Sequence, residues 1–106
     1  MPKRTFAAIV QRTELWDPAR QPQDQDGFAD HAAFVAGLEA DGFIALAGLM
    51  VPSTEVLFIF LADSEQEVRQ RMSQDPWQQD GHARLIRVEE ILIRIGAPKQ
   101  DNASQE

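Results

Sequence analysis

The sequence predicts an α+β fold from three observations. Four apolar stretches have the length and residue types of β-strands, two other stretches repeat apolar residues at helical spacing, and their order is strand, helix, strand, strand, helix, strand. That order is typical of the ferredoxin-like βαββαβ arrangement, in which two helices cover one face of an antiparallel four-stranded sheet. The 106 residues are enough for one domain, which we place at residues 1–96.

The composition limits the partners of the chain. Asp and Glu number 17 against 10 Lys and Arg, which gives a formal net charge of -7. Such a chain repels phosphate backbones and anionic lipid surfaces, so we expect neither nucleic acid nor a membrane as a partner. The absence of cysteine excludes thiolate nucleophiles, thiolate metal sites and disulfides. With no signal-peptide pattern and no apolar segment of membrane-spanning length, we expect a cytoplasmic protein.

The first strand is predicted at residues 5–11, where both faces of the strand are apolar. Arg12 ends it. Residues 13–25 then form a polar loop that carries Trp16 and two prolines. A loop of this length serves either as a lid or as a slack connection, and the sequence leaves both open.

The first helix is predicted from Gly27 or Phe28 to about Ala40. Asp26 is its candidate N-cap, and Gly42 supplies the stop. Four residues recur at helical spacing and form its inward stripe: His31, Phe34, Val35 and Leu38. His31 therefore lies on the stripe that we expect to be buried.

Residues 43–51 and 56–62 are nearly continuous apolar runs, and the polar residues 52–55 between them suit a hairpin. Continuous apolar runs indicate burial on both faces of a strand. Two helices cover only one sheet face, so the other face needs a partner. At roughly 25 cal/mol per Å², leaving several hundred Å² of apolar sheet in water forgoes on the order of 10 kcal/mol. We therefore predict a homodimer that packs sheet against sheet.

The second helix begins with a capping-box pattern at residues 64–67, and Val68 and Met72 form its inward edge. Asp75 follows its end and precedes Pro76. Because proline disfavours a helical conformation in the preceding residue, we expect Asp75 to be extended just outside the helix.

The last strand is predicted at about residues 83–95. Its alternation is imperfect around Arg87, Glu89 and Glu90, which indicates a β-bulge. Residues 97–106 form a polar tail that we predict to be disordered.

Tracing the strands up and down brings four polar side chains to one end of the domain: Arg12, His31, Asp75 and His82. A carboxylate next to an imidazole fixes the tautomer of the ring and favours its protonated form, which suits proton transfer near neutral pH. We assign His31 as the candidate base and Asp75 as its orienting partner. Abstracting a proton from a phenol, or from carbon next to a carbonyl, supports isomerisation or elimination of HX.

Four further residues are candidates for substrate binding: Arg12, Trp16, Trp77 and His82. The two tryptophans can stack on a planar substrate, and Arg12 can hold an oxyanion or a carboxylate. We expect no cofactor and no metal, although His31, His82 and Asp75 satisfy the residue count of a two-His, one-carboxylate iron site.

Each assignment has a plainer alternative. A histidine on an apolar stripe is commonly a core residue bonded to a backbone carbonyl. Asp-Pro commonly ends a helix, Trp77 can simply plug the helix end, and Arg12 can be solvated. For the whole chain, the alternatives to an enzyme are a non-catalytic dimeric module that binds a small metabolite or partner, and a structural dimer with a vestigial pocket.

Over residues 4 to 96 the chain resembles the YciI-like (YCII-related) family of small dimeric α/β-barrel proteins. The resemblance rests on a helical His31 followed by Leu38, Gly42 and the apolar hairpin, and on the run Asp75-Pro76-Trp77. In that family a His and an Asp at these two places are regarded as the active site. The resemblance implies a dimer, and it implies reactions like those of its relatives, which include a dehydrochlorinase acting on a chlorinated hydroxyquinol. The chain departs from the family pattern before His31, at Gly48-Leu49 and in its longer loop.

Overall fold

The structure is a computed structural model that describes residues 3–96. The predicted tail at residues 97–106 lies outside the described residues. The strands are β1 (Arg4–Arg12), β2 (Ile44–Leu49), β3 (Val56–Ala62) and β4 (Ala83–Glu90). The helices are α1 (Phe28–Ala40), α2 (Glu65–Met72) and α3 (Pro76–Asp80), and a 3-10 turn covers Pro22–Asp24. No helix within residues 3–96 is long and apolar enough to cross a membrane.

The four strands form one antiparallel sheet in the order β2-β3-β1-β4. This confirms the predicted α+β class and the antiparallel four-stranded sheet, and the arrangement is compatible with a ferredoxin-like fold. The predicted bulge is present, because Ile9 pairs with Arg87 while Val10 pairs with Leu85, which leaves Ile86 as the extra residue.

β4 is shorter than predicted, since it ends at Glu90 rather than Ile95. Its pairing with β1 ends at Phe6 and Glu90, and the Ile91 amide then donates to the Thr5 carbonyl at 2.9 Å. Beyond Ile91, residues 92–96 form no strand.

The core lies between one face of the sheet and the helices. Alternate residues of β1 and β3 are buried there, as the period of a strand requires: Phe6, Ala8, Val10, Phe58, Phe60 and Ala62. The helices contribute four buried side chains to the same core: Leu38, Val68, Met72 and Trp77. Val68 and Met72 were predicted from the pattern alone.

The capping box at α2 is confirmed with one change. The Ser64 hydroxyl accepts from the Glu67 amide at 3.1 Å, but the Glu67 carboxylate accepts from the amide of Asp63 at 2.8 Å rather than from that of Ser64.

The expectation that residues 43–51 are buried on both faces is wrong for most of β2. β2 is an edge strand of the sheet, and its residues from Leu46 to Leu49 are exposed. Because β2 pairs on one side only and the helices pack over the centre of the sheet, its apolar side chains reach solvent in a single copy of the chain.

Candidate functional site

Asp75 occupies a turn that holds its carboxylate in place. Its backbone is extended, with φ -64° and ψ 124°, as the following proline predicted. The sequence did not predict that the chain becomes helical again at Pro76, where the fixed φ of proline suits the first turn of α3. Asp75 is the N-cap of this helix, since its Oδ1 accepts from the Trp77 amide at 3.0 Å. The residue is 2% exposed.

His31 meets this carboxylate from the first turns of α1. Its Nδ1 lies 2.9 Å from Oδ1 and 3.1 Å from Oδ2 of Asp75. The carboxylate only accepts, so Nδ1–H donates and the lone pair of the neutral ring lies on Nε2. Nε2 forms no hydrogen bond with any residue between positions 3 and 96, and the His31 side chain is 20% exposed. The ring is therefore held with its basic nitrogen available.

The start of α1 differs from the prediction. Asp26 does not cap the helix; Gly27 is the N-cap, with φ +80°, and no side chain caps the helix there. The Asp26 backbone has another role, because its carbonyl accepts from the Trp77 indole Nε1–H at 2.8 Å.

Trp77 supports the imidazole through its flat face. The rings of His31 and Trp77 are stacked, with 3.9 Å between centroids and 14° between planes. Trp16 contacts Trp77 edge-on, at 5.1 Å and 82°. One face of Trp77 is thus covered by His31, so this geometry assigns Trp77 to positioning the imidazole rather than to stacking on a substrate with that face.

The loop before α1 is a folded segment rather than a slack connection. It is organised around Gln25, which is 4% exposed. The Gln25 side chain donates to the carbonyls of Asp17 and Arg20 at 2.7 and 3.2 Å, and accepts from the Asp17 amide at 3.0 Å. Sequence reasoning missed Gln25, because a glutamine in a polar loop carries no signal of burial. Its bonds hold the segment that presents Trp16 to the site.

Five of the predicted residues line one cavity of about 160 Å³: Arg12, Trp16, His31, Asp75 and Trp77. The rest of the lining is apolar: Val10, Pro22, Phe28, Val56, Phe58 and Ala83. The volume is close to that of an engineered cavity of about 150 Å³ that binds benzene in another protein. Within the cavity lining, Arg12 lies over the ring of Trp16, 4.1 Å from its centroid.

His82 is not brought into this cavity. Asp80 Oδ1 lies 2.9 Å from both the His82 amide nitrogen and its Nδ1, which holds the imidazole at the end of α3. The structure therefore does not bring His82 into the lining with the other five predicted residues, because Asp80 holds its ring at the end of α3. The described part of the chain also contains no group of three His, Asp or Glu side chains placed to hold a metal ion.

Fold and site together define a small α+β protein with a histidine and a buried carboxylate at the wall of an apolar cavity. Comparisons with models of protein families, with curated proteins and with solved structures found no match. The function is therefore inferred from the geometry of the site.

Proposed function

We propose that the chain is a small-molecule enzyme of the YciI-like class that transfers protons with His31, while Asp75 orients the imidazole. One observation carries the proposal: a carboxylate that is 2% exposed holds Nδ1 of an imidazole that lines an apolar cavity. A buried carboxylate on Nδ1 fixes the tautomer and stabilises the imidazolium that forms when Nε2 takes a proton.

The composition of the cavity favours proton transfer over covalent catalysis. Its described lining contains no Ser, Thr, Lys or Tyr side chain to act as a nucleophile. His31 brings an imidazole to that lining, the side chain that general acid–base catalysis uses most often.

The reaction begins when Nε2 of His31 removes a proton from carbon next to a carbonyl, and the electron pair of the broken C–H bond forms an enolate. Returning the proton to a different carbon completes an isomerisation. When a halide sits on the next carbon, the electron pair instead forms a C=C bond and the halide leaves with its bonding pair, which completes an elimination.

The size and lining of the cavity favour a substrate with one ring. About 160 Å³ of largely apolar space accepts a six-membered carbocycle, and the polar groups at its wall orient the ring. Cyclic ketones and halogenated phenols are examples of compounds of this size that carry an acidic proton.

The test is exchange of carbon-bound substrate hydrogen for deuterium, followed by NMR in D2O with a panel of cyclic ketones and halogenated phenols. The wild type should exchange C–H hydrogens, such as those next to the carbonyl of a ketone, and His31→Gln should lower the rate by about 10²–10⁴, the usual contribution of a general base. His82→Gln is the matched control, because it replaces the other histidine, which lies outside the cavity lining. Equal rates in the two variants would contradict the proposal.

A second candidate is a non-catalytic dimeric module that binds a small metabolite or a partner in the same cavity. The observation that favours it is the absence of a second proton-transfer group in the described lining, where the carboxylate of Asp75 is already bonded to His31. Saturable binding of panel compounds, without exchange by any of them, would identify the module.

The proposal includes a homodimer through the open face of the sheet. Large apolar side chains on and beside that face are exposed: Leu46, Leu92, Ile93 and Ile95. A groove there is lined by Thr5, Leu46 and Ile59 together with residues 91–96. Exposed apolar surface of this kind favours a partner, and the occupant that we propose is a second copy of the chain.

A further inference from the structure

Arg12 is a half-buried cation without an acidic partner at the proposed site. Its guanidinium carries five N–H donors, yet it forms no hydrogen bond and no ion pair with any residue that the structure describes. Its described contact is with the ring of Trp16, 4.1 Å from the centroid. Its donors are not among the fully buried, unpartnered atoms of the described residues, so they reach solvent beside the cavity and are open to the acceptors of a ligand.

The chain has 17 acidic residues and a net charge of -7, yet Arg12, Arg84 and Arg94 form no ion pair within residues 3–96, and of these three it is Arg12 that lines the cavity. Other arginines are paired with carboxylates at 2.8 Å, in the pairs Arg4–Glu90, Arg69–Glu65 and Arg71–Asp41. Asp75, the carboxylate in the cavity lining, is already bonded to His31 and to the Trp77 amide. Arg12 therefore gives the cavity a positive charge that contacts no described carboxylate, while the negative charge in the lining, that of Asp75, is held at His31.

We infer that the ligand of this cavity is a small monocyclic carboxylate, held by Arg12 with its ring in the apolar part of the cavity. The inference rests on the proposed function for the site and adds the charge class of the substrate. A planar guanidinium matches a carboxylate through two parallel hydrogen bonds. The contact with the Trp16 ring restrains the guanidinium, which pre-organises it for these two hydrogen bonds.

A carboxylate fits these groups better than a phosphate does. A single guanidinium can bond both oxygens of a carboxylate. The third and fourth oxygens of a phosphate would need further donors, and the other cavity residues offer few. The Asp75 carboxylate only accepts, and Trp77 Nε1–H is bonded to the Asp26 carbonyl.

The experiment compares binding of benzoate and benzamide, which have the same shape and differ in charge. Affinities are measured by NMR titration for the wild type, Arg12→Gln and Arg84→Gln. Arg84 is the matched control, because it is exposed at the start of β4, does not line the cavity, and its replacement changes the net charge equally. Arg12→Lys is a further variant that keeps the positive charge but cannot form the two parallel hydrogen bonds of a guanidinium.

The wild type and Arg84→Gln should bind benzoate at least tenfold more tightly than benzamide, and Arg12→Gln should bind both equally. Arg12→Lys should retain part of the preference. Equal affinities in the wild type, no saturable binding of benzoate, or a full preference in Arg12→Gln would each overturn the inference.

The outcome is independent of turnover. His31→Gln should keep the preference for benzoate while it loses deuterium exchange. If the wild type prefers benzoate but exchanges hydrogen in no compound, the proposed enzyme activity is contradicted, and the inference that the ligand is a carboxylate is supported. If the wild type exchanges hydrogen in neutral ketones but shows no preference for benzoate, the proposed enzyme activity is supported, and the inference that the ligand is a carboxylate is overturned.

Discussion

The imidazole of His31 lies parallel to the indole of Trp77, with 3.9 Å between the ring centroids. Trp77 is two residues after Asp75, whose carboxylate holds Nδ1 of the same imidazole. One short turn therefore fixes His31 in two directions, through a hydrogen bond in the plane of the ring and through a flat surface against its face. This arrangement restricts rotation of the imidazole. A proton-transfer group needs such a fixed orientation.

Replacing Trp77 with leucine should release the imidazole. The ring protons of His31 should lose the upfield shift that a stacked indole causes, and the free energy of unfolding should fall by about 3 kcal/mol, because a buried tryptophan is truncated. Trp16→Leu is the control, since Trp16 contacts the edge of Trp77. NMR spectra and urea denaturation give both quantities. An unchanged His31 shift in Trp77→Leu would contradict the stacking.

Asp75 has two roles that two substitutions separate. Asp75→Asn keeps an N-cap for α3 but replaces a pure acceptor with an amide that can donate to Nδ1, so deuterium exchange should fall by about 10²–10⁴ with little change in stability. Asp75→Ala also removes the cap and should cost about 1 kcal/mol more. Nitrogen-15 shifts of the imidazole report the tautomer. If Asp75→Asn keeps Nδ1–H and the full rate, the orienting role is wrong.

Replacing either of two glycines of α1 with alanine should change the free energy of unfolding in opposite directions. Gly27 is the N-cap of the helix, and Gly37 lies within it. Gly27 has φ +80°, and an added Cβ would lie 3.4 Å from Trp77 Nε1. Gly27→Ala should therefore destabilise the protein by about 1–2 kcal/mol. Gly37 is helical and has open space around it, so Gly37→Ala should stabilise by about 0.4–1 kcal/mol. Urea denaturation measures both, and a shared sign would contradict the assigned backbone conformation.

The ion pair between Arg4 and Glu90 joins the start of β1 to the end of β4, with N···O distances of 2.8 and 3.2 Å. The hydrogen bond from Arg4 lowers the pKa of Glu90 below its ordinary value, an effect that desolvation opposes and the charge of Arg4 assists. A lowered carboxylate pKa stabilises the fold above the ordinary value of about 4.3, and this contribution disappears as the pH falls through the lower folded-state pKa.

Glu90→Gln should consequently be less stable than the wild type near neutral pH and differ less from it in acid. Denaturation midpoints of both proteins at several pH values check this. Glu89→Gln is the control, because its carboxylate lies 3.9 Å from Arg87 in a looser pair. A difference between Glu90→Gln and the wild type that grows on acidification would contradict the sign of the shift.

The proposed dimer is tested at Leu46, which pairs with Ile59 and lines the groove on the open face of the sheet. Leu46→Glu should shift the protein from dimer to monomer in sedimentation equilibrium, because a charge cannot be buried there without a partner. Leu15→Glu, at an equally exposed leucine in the loop before α1, should stay dimeric. A monomeric wild type would overturn the dimer.

Local sequence patterns determined most of the secondary structure. The apolar runs predicted β1 and β3, the capping box predicted the start of α2, and the broken alternation predicted a bulge in the last strand, which the structure places at Ile86. Proline alone predicted the extended backbone of Asp75. These features depend on residues within a few positions of one another, so their physical causes are contained in the local sequence.

The element order predicted that His31 and Asp75 share one end of the domain, but only the tertiary structure decided which side chains there meet. His31 and Asp75 are separated by 44 residues, and their contact depends on how the strands and helices pack. His82 contacts Asp80 and lies outside the cavity lining, and the Gln25 side chain bonds the loop that carries Trp16. Hydrogen bonds and ring contacts act over a few ångströms between residues that are distant in sequence, so a side chain's partners follow from the packing of whole elements rather than from any local pattern.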